Sequence, residues 1–240
     1  MMNLKDCTEK WSDDPESHLV MHEGFKQLTD LHPFLKAHRD WVEKNIFGFG
    51  DRSFHYMWKL IIDDMPQSFT FLEIGVFRGQ VLSLVQQIAS YSQRYVTRYG
   101  VTPLTSAGGH WESDYRVDII NMHKQFHLPI DYILFEGLST DPKILEDVMI
   151  QVKPLDILYI DGGHDYDTVV SDLKNYLPLI KPGGILVVDD CSNNFQIPNG
   201  MFPGIDTVSN AVDELLPPFT QNDEYEWLFN VGHNRIWRKK

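Results

Sequence analysis

Between Phe69 and Asp190 the chain alternates short apolar runs with amphipathic stretches, and this alternation restricts the fold more than any other feature. The runs read FTFLEIGV, YVTRYGV, DYILFEG, LDILYIDG and GILVVDD, lengths that suit strands rather than helices. Helical stretches are expected between them, from Gln80, Asp118, Pro142 and Asp167. The last is the clearest: Val169, Val170, Leu173 and Leu177 form an apolar stripe, Asp167 or Thr168 can cap its start, and Pro178 limits its end. A chain that alternates strand and helix in this way builds a parallel sheet covered on both faces. The tail EWLFNVGHNRIWRKK reads as two short strands around Val231 and Gly232, which add an antiparallel edge.

Upstream, residues 1–50 are polar with scattered aromatics and histidines, and are expected to form an irregular or helical extension to a main domain spanning 51–240. Phe54, Met57, Trp58, Ile61 and Met65 recur at helical spacing before Pro66. His22, His32 and His38 do not share one helical face as a metal pair would, and are expected at the surface. A length of 240 residues with 42% hydrophobic content suffices for one substantial domain. The 34 acidic and 21 basic residues, a net charge of -13, argue against nucleic acid or an anionic membrane as the main partner. Cys7 and Cys191 have no metal or redox spacing, so a disulfide-free intracellular protein is the default, with a pairing between them left open. The first twenty residues do not resemble a targeting peptide, and no run approaches the roughly 20 apolar residues needed to span a bilayer. The expectation is a soluble, cytoplasmic protein.

In open parallel sheets ligands bind beyond the carboxyl ends of the strands. The first strand ends in EIGVFRGQ, which sets Glu73, Gly75 and Gly79 at a strand-to-helix turn. Glycines there let backbone approach a ligand, and free helix amides favour an anionic group. The dinucleotide fingerprint would need glycine in place of Glu73 and two residues between the later glycines rather than three. An acid suits a ligand bearing an amine or a sulfonium better than one bearing a pyrophosphate. After the fourth strand, YIDGGHDY supplies Asp161 and His164; after the fifth, VVDDCS supplies Asp189 and Asp190. Any one of these acids reads first as a turn residue or a buried acid held by amides. Three acids and a histidine at equivalent strand ends read as a site.

FLEIGVFRG, YGVTPL, FEGLSTD, LYIDGGHDYDTVVSDL and LIKPGGILVVDD, in that order, resemble a class I S-adenosylmethionine-dependent methyltransferase. More narrowly they resemble the metal-dependent O-methyltransferases related to macrocin O-methyltransferase, which act on sugar hydroxyls of natural products. The resemblance implies an α/β fold: a Rossmann-like, doubly wound, mostly parallel seven-stranded sheet with an antiparallel C-terminal edge strand and helices on both faces. It also implies that the first, fourth and fifth strands are neighbours. Asp161, Asp189 and Asp190 would then form a hard oxygen site suited to Mg²⁺, Mn²⁺ or Ca²⁺ rather than zinc, with Mg²⁺ implied by the resemblance. The matching histidine of the family is a proposed general base, a role carried to His164 with metal ligation as the competing one. Glu73, Gly75 and Gly79 would line the methionine end of the cofactor, and Gly137 and Ser139 would lie near the adenine. Thr102 stands where relatives commonly carry an acid that holds the ribose; its single hydroxyl offers a weaker grip. Leu138 likewise replaces a commonly polar residue.

Acceptor recognition is expected from the extension, a candidate lid or homo-oligomer contact, and from the loops SAGGHWESDY and SNNFQIPNGMFPGID. Trp111, Phe195 and Phe202 are candidate faces for a sugar or aromatic ring. The leading expectation is methyl transfer to a hydroxyl of a small metabolite. Two alternatives stay open: a non-catalytic cofactor-binding protein of this fold, and an iron-dependent hydroxylase, for which the two-histidine, one-carboxylate set is not apparent.

Overall fold

The computed structural model describes residues 3–105, 115–217 and 223–240. Its seven strands are β1 (Ser68–Ile74), β2 (Tyr95–Thr102), β3 (Ile133–Glu136), β4 (Leu155–Ile160), β5 (Ile180–Val188), β6 (Tyr225–Val231) and β7 (Asn234–Lys239). They lie in one sheet in the order β3-β2-β1-β4-β5-β7-β6. β1 to β5 are parallel, while β7 runs antiparallel to β5 and β6 antiparallel to β7. The expected antiparallel edge is therefore a hairpin with β7 inside and β6 outermost. Chain order reverses between β1 and β4, the place where such sheets open a crevice at their carboxyl ends.

The helices are α1 (Leu4–Lys10), α2 (Pro15–Leu31), α3 (Pro33–Asn45), α4 (Ser53–Asp63), α5 (Gln80–Tyr91), α6 (Tyr115–Gln125), α7 (Pro142–Gln151), α8 (Tyr166–Tyr176) and α9 (Asp206–Leu215). Strand side chains alternate between two cores, as a pleated sheet dictates. Phe71, Ile157 and Val187 face a core with Trp58 and Ile61 of α4 and Leu82 and Val85 of α5. Leu72, Leu158 and Leu186 face the opposite core with Val148 of α7, Leu173 of α8 and Val212 of α9. The extension is helical and joins the first core through Leu4, Cys7, Trp11, Phe25 and Leu35. Cys7 and Cys191 are both buried and free.

Several boundaries differ from the sequence reading. α8 starts at Tyr166 and is capped by Asp165, whose side chain accepts from Thr168 N, because the cap must precede the first helical residue. α6 begins three residues earlier than expected, at Tyr115. α9 was not anticipated, since its apolar residues follow a segment dominated by glycine, proline and asparagine.

The surface assignment of the N-terminal histidines is corrected. His38 is fully buried and His22 is buried, while His32 is half-buried. The His38 ring lies 3.0 Å from His55 Nε2 through Nδ1 and 3.0 Å from Ser83 Oγ through Nε2. Ser83 Oγ donates to Gln80 O, so it accepts from His38 Nε2–H, and His38 Nδ1 accepts from His55 Nε2–H. A neutral imidazole with both nitrogens satisfied buries as readily as an aromatic ring. The missing metal-pair spacing excluded ligation from a shared helix face but said nothing about burial. His22 instead pairs with Asp51, Nε2 to Oδ1 at 3.0 Å.

Burial holds the His38 pKa down to about 3, assisted by the Arg39 charge, and burial likewise holds His55 well below its usual value. Both rings stay neutral in the folded state where the unfolded chain takes up protons. Their contribution is intact above about pH 6.5 and is lost as pH falls toward the folded-state values, by up to about 1.4 kcal/mol per pH unit for each ring. Denaturant midpoints should therefore fall between about pH 7 and about pH 5. His55→Gln, which keeps a donor toward His38 but removes the titrating ring, should show a shallower fall. An identical slope in the variant would exclude this role.

Candidate active site

Crossing β-register brings the expected acids together. Glu73, Tyr159, Val187 and Ile236 form one row across β1, β4, β5 and β7. Asp161 and Asp189 stand two residues beyond Tyr159 and Val187, on the same face of the sheet. Tyr159 reaches along that face: its hydroxyl lies 3.0 Å from Asp161 Oδ2 and 3.2 Å from Asp189 Oδ2. One phenolic hydrogen thus serves two carboxylates.

Asp190 adopts the left-handed backbone conformation, with φ of 54°. The following segment secures this strained turn: Ile205 N donates to Asp190 O at 2.8 Å, and a side chain at Gly204 would begin 2.3 Å from the same oxygen. Asp190 Oδ2 lies 3.4 Å from His164 Nε2. The His164 side chain is 47% exposed, and its carbonyl accepts from Thr207 Oγ1 of α9 at 2.6 Å.

His233, overlooked in the sequence, completes the cluster. It follows Gly232 in the turn between β6 and β7, and its Nε2 lies 3.3 Å from Asp189 Oδ1 and 3.7 Å from Asp190 Oδ1. The signal was the antiparallel edge itself. Val188 pairs with Arg235, so extending the register by two residues sets His233 opposite Asp190.

The electrostatics are those of crowded anions. Burial raises the Asp161 pKa well above the carboxylate range, and the charges of Asp189, Asp190 and Glu73 add to this. Burial and Asp189 also raise Asp190, against the opposing influence of His233 and His164. Burial pushes Tyr159 well above its usual value. Asp189 Oδ1 is buried without a hydrogen-bond partner. A divalent cation would fit this arrangement: it would supply the missing partner and offset the repulsion, and carboxylate oxygens are hard donors. Asp161, His164 and Asp190 form one three-atom donor cluster, and Asp189, Asp190 and His233 form another.

The expected cofactor residues line the adjoining strand ends. Gly75 N donates to Val101 O at 2.9 Å, joining the ends of β1 and β2. Gly75 has φ of 96°, and a Cβ there would fall 1.9 Å from Asp161 O, so only glycine lets the two turns approach. Gly79 begins α5. Glu73 is 3% exposed and its Oε2 has no partner; burial raises its pKa to about 8, against a hydrogen bond from the Leu82 backbone. Gly137 N donates to Thr102 O at 3.0 Å, and Thr102 Oγ1 accepts from Leu104 N at 3.2 Å. Ser139 O accepts from the Tyr176 hydroxyl at 2.8 Å, which ties this loop to α8.

The three aromatic candidates separate. Phe195 is corrected: it is buried against Trp11 and Trp227, with Arg235 over its ring at 4.4 Å, and so anchors its loop. Phe202 is 55% exposed and its ring centroid lies 5.1 Å from that of His233. Trp111 and most of the loop SAGGHWESDY lie outside the described residues. A concavity of about 610 Å³ opens at the other end of the sheet, lined by residues such as Gln67, Arg94, Tyr95 and Asp131. It contains none of the clustered acids or histidines.

A methyltransferase domain family matches residues 72–191, half of the chain. Uncharacterized protein R132 of Acanthamoeba polyphaga mimivirus is 28% identical over 182 residues, covering 74% of this chain and 70% of the relative. The 8-demethyl-8-alpha-L-rhamnosyl tetracenomycin-C 2'-O-methyltransferase of Streptomyces olivaceus is 28% identical over 81 residues, 34% of this chain and 21% of the relative. The solved O-methyltransferase from Bacillus cereus in complex with SAH superposes with a TM-score of 0.63 at 12% identity, covering 93% of this chain and 100% of that one. The chain belongs to the methyltransferase domain family and has its Rossmann-like fold.

Proposed function

We propose that the protein transfers a methyl group from S-adenosylmethionine to a hydroxyl of a small metabolite, a sugar or natural-product glycoside, with a divalent cation held by Asp161, Asp189 and Asp190. The observation that carries this reading is the convergence of three carboxylates on adjacent strand ends, beside the turn that follows β1. S-adenosylmethionine supplies an electrophilic methyl on a sulfonium, and the cation, Mg²⁺ by resemblance, supplies Lewis acidity toward the acceptor hydroxyl. The sugar assignment draws support from the name of the Streptomyces olivaceus relative.

The residues divide the work. His164 Nε2 is exposed beside Asp190 and accepts the acceptor's hydroxyl proton, while Asp190 orients the ring. Tyr159 holds Asp161 and Asp189 facing one point. Glu73, buried and unpaired at Oε2, meets the amine of the methionine moiety, whose charge favours its ionised form. Gly75 and Gly79 admit the backbone close to that moiety, Thr102 faces the ribose, and Gly137 and Ser139 face the adenine. Phe54 and Phe202 flank His233 and fix its ring. Holding donor and acceptor in line, rather than forming a covalent intermediate, supplies most of the catalysis. The hydroxylase alternative has less support, since the two imidazoles approach opposite oxygens of Asp190.

Titration calorimetry should show saturable one-to-one binding of S-adenosylmethionine, with Mg²⁺ present or absent; no binding in either condition would overturn the reading. His164→Ala should lower kcat by about 10²- to 10⁴-fold while leaving cofactor affinity unchanged. Unimpaired turnover would remove the base assignment. Asp161→Asn should abolish turnover yet raise Tm in chelator by roughly 2–4 °C, because a carboxyl whose ionisation is opposed by burial and by neighbouring acids is gone. A lower Tm would show that this carboxylate is held by other means than the cluster described.

A further inference from the structure

We propose that His233, through Nε2, is a ligand of the divalent cation at Asp189 and Asp190, so that the centre is a mixed nitrogen–oxygen site selective for Mn²⁺, Fe²⁺ or Co²⁺ over Mg²⁺. This rests on the cation reading above and extends it to a residue outside the three carboxylates. Two ligand atoms bound to one ion at about 2.1 Å lie about 3 Å apart when adjacent and about 4.2 Å apart when opposite. The separations of His233 Nε2 from Asp189 Oδ1, 3.3 Å, and from Asp190 Oδ1, 3.7 Å, fall inside that interval.

The shorter contact lacks hydrogen-bond geometry. Asp189 Oδ1 is buried and lacks any hydrogen-bond partner, although the imidazole nitrogen faces it. A cation between the two groups would give both of them a partner. The ring is also held in place. Phe54 and Phe202 contact it edge-to-face, with centroids at 4.8 Å and 5.1 Å, and its carbonyl accepts from Cys191 N at 3.0 Å. The His233 side chain is only 12% exposed, against 47% for His164. A fixed, buried imidazole suits ligation, and the exposed one stays available to the acceptor. Mg²⁺ binds oxygen and water in preference to imidazole, whereas first-row transition ions accept both donors.

Electron paramagnetic resonance on the full chain tests this with Mn²⁺ alone. Bound Mn²⁺ should show electron spin-echo modulation from a coordinated ¹⁴N, and its affinity should exceed that for Mg²⁺ by at least about tenfold. The modulation should persist in His164→Gln, an exposed substitution that leaves the core untouched, and vanish in His233→Gln with a rise in Kd of about tenfold or more. Mn²⁺ bound without nitrogen modulation in His164→Gln overturns the inference and leaves the cation reading standing, independently of how the His233 variant folds. Failure of the unaltered protein to bind Mn²⁺ or Mg²⁺ overturns both.

Discussion

The site is organised around a shortage of protons and cations at one end of a parallel sheet. Tyr159 has a single hydroxyl hydrogen within reach of Asp161 and Asp189, and Asp190 adds a third carboxylate to the same volume. Such crowding opposes folding, and the surrounding structure shows how it is sustained. Gly75 lets the β1 turn close on Asp161, and Gly204 and Ile205 clamp Asp190 in a left-handed conformation. His164 and His233 approach from two sides, on separate elements. A fold that only needed stability would have placed apolar groups here. On the proposed reading, a cation and a charged cofactor would supply the missing countercharge.

The sheet order makes this economy of placement available. With β1, β4 and β5 adjacent, the glycines after β1 and the acids share one edge, and the alternation of side chains sends Glu73, Tyr159, Asp161 and Asp189 to the same face. On the opposite face Leu72, Leu158 and Leu186 complete an apolar core that keeps the strands in register. The clustered acids thus continue a face whose inner part, Phe71, Ile157 and Val187, is core, while the alternate residues build the second core.

Most of the sheet was legible because each strand is a distinct apolar run bounded by turn residues, and the resemblance supplied their spatial order. The acids at the ends of β4 and β5 followed directly from their positions. What escaped depended on contacts distant in sequence. His38 reads as a polar residue among polar neighbours, and only the partnership with His55 and Ser83 explains its burial. Phe195 sits in a loop rich in asparagine and proline, yet Trp11 and Trp227 enclose it. His233 looks like a hairpin residue until β7 is paired beside β5, when its register with Asp190 becomes evident. Local pattern specifies elements; the partner of a polar side chain is a property of their assembly.

The C-terminal hairpin gives the site a history as well as a geometry. β5 is an interior strand in the finished sheet, but it remains an edge until β7 pairs with it, and His233 is synthesised more than forty residues after Asp190. A nascent chain extending only through α9 therefore displays an unpaired apolar strand ending in two bare aspartates. Such an edge is an open template for pairing with other chains, and the pairing that covers it spans a long stretch of sequence. The same short ribbon that delivers an imidazole to the acids also seals the sheet, so completion of the centre and protection from aggregation are one event in the emergence of the chain.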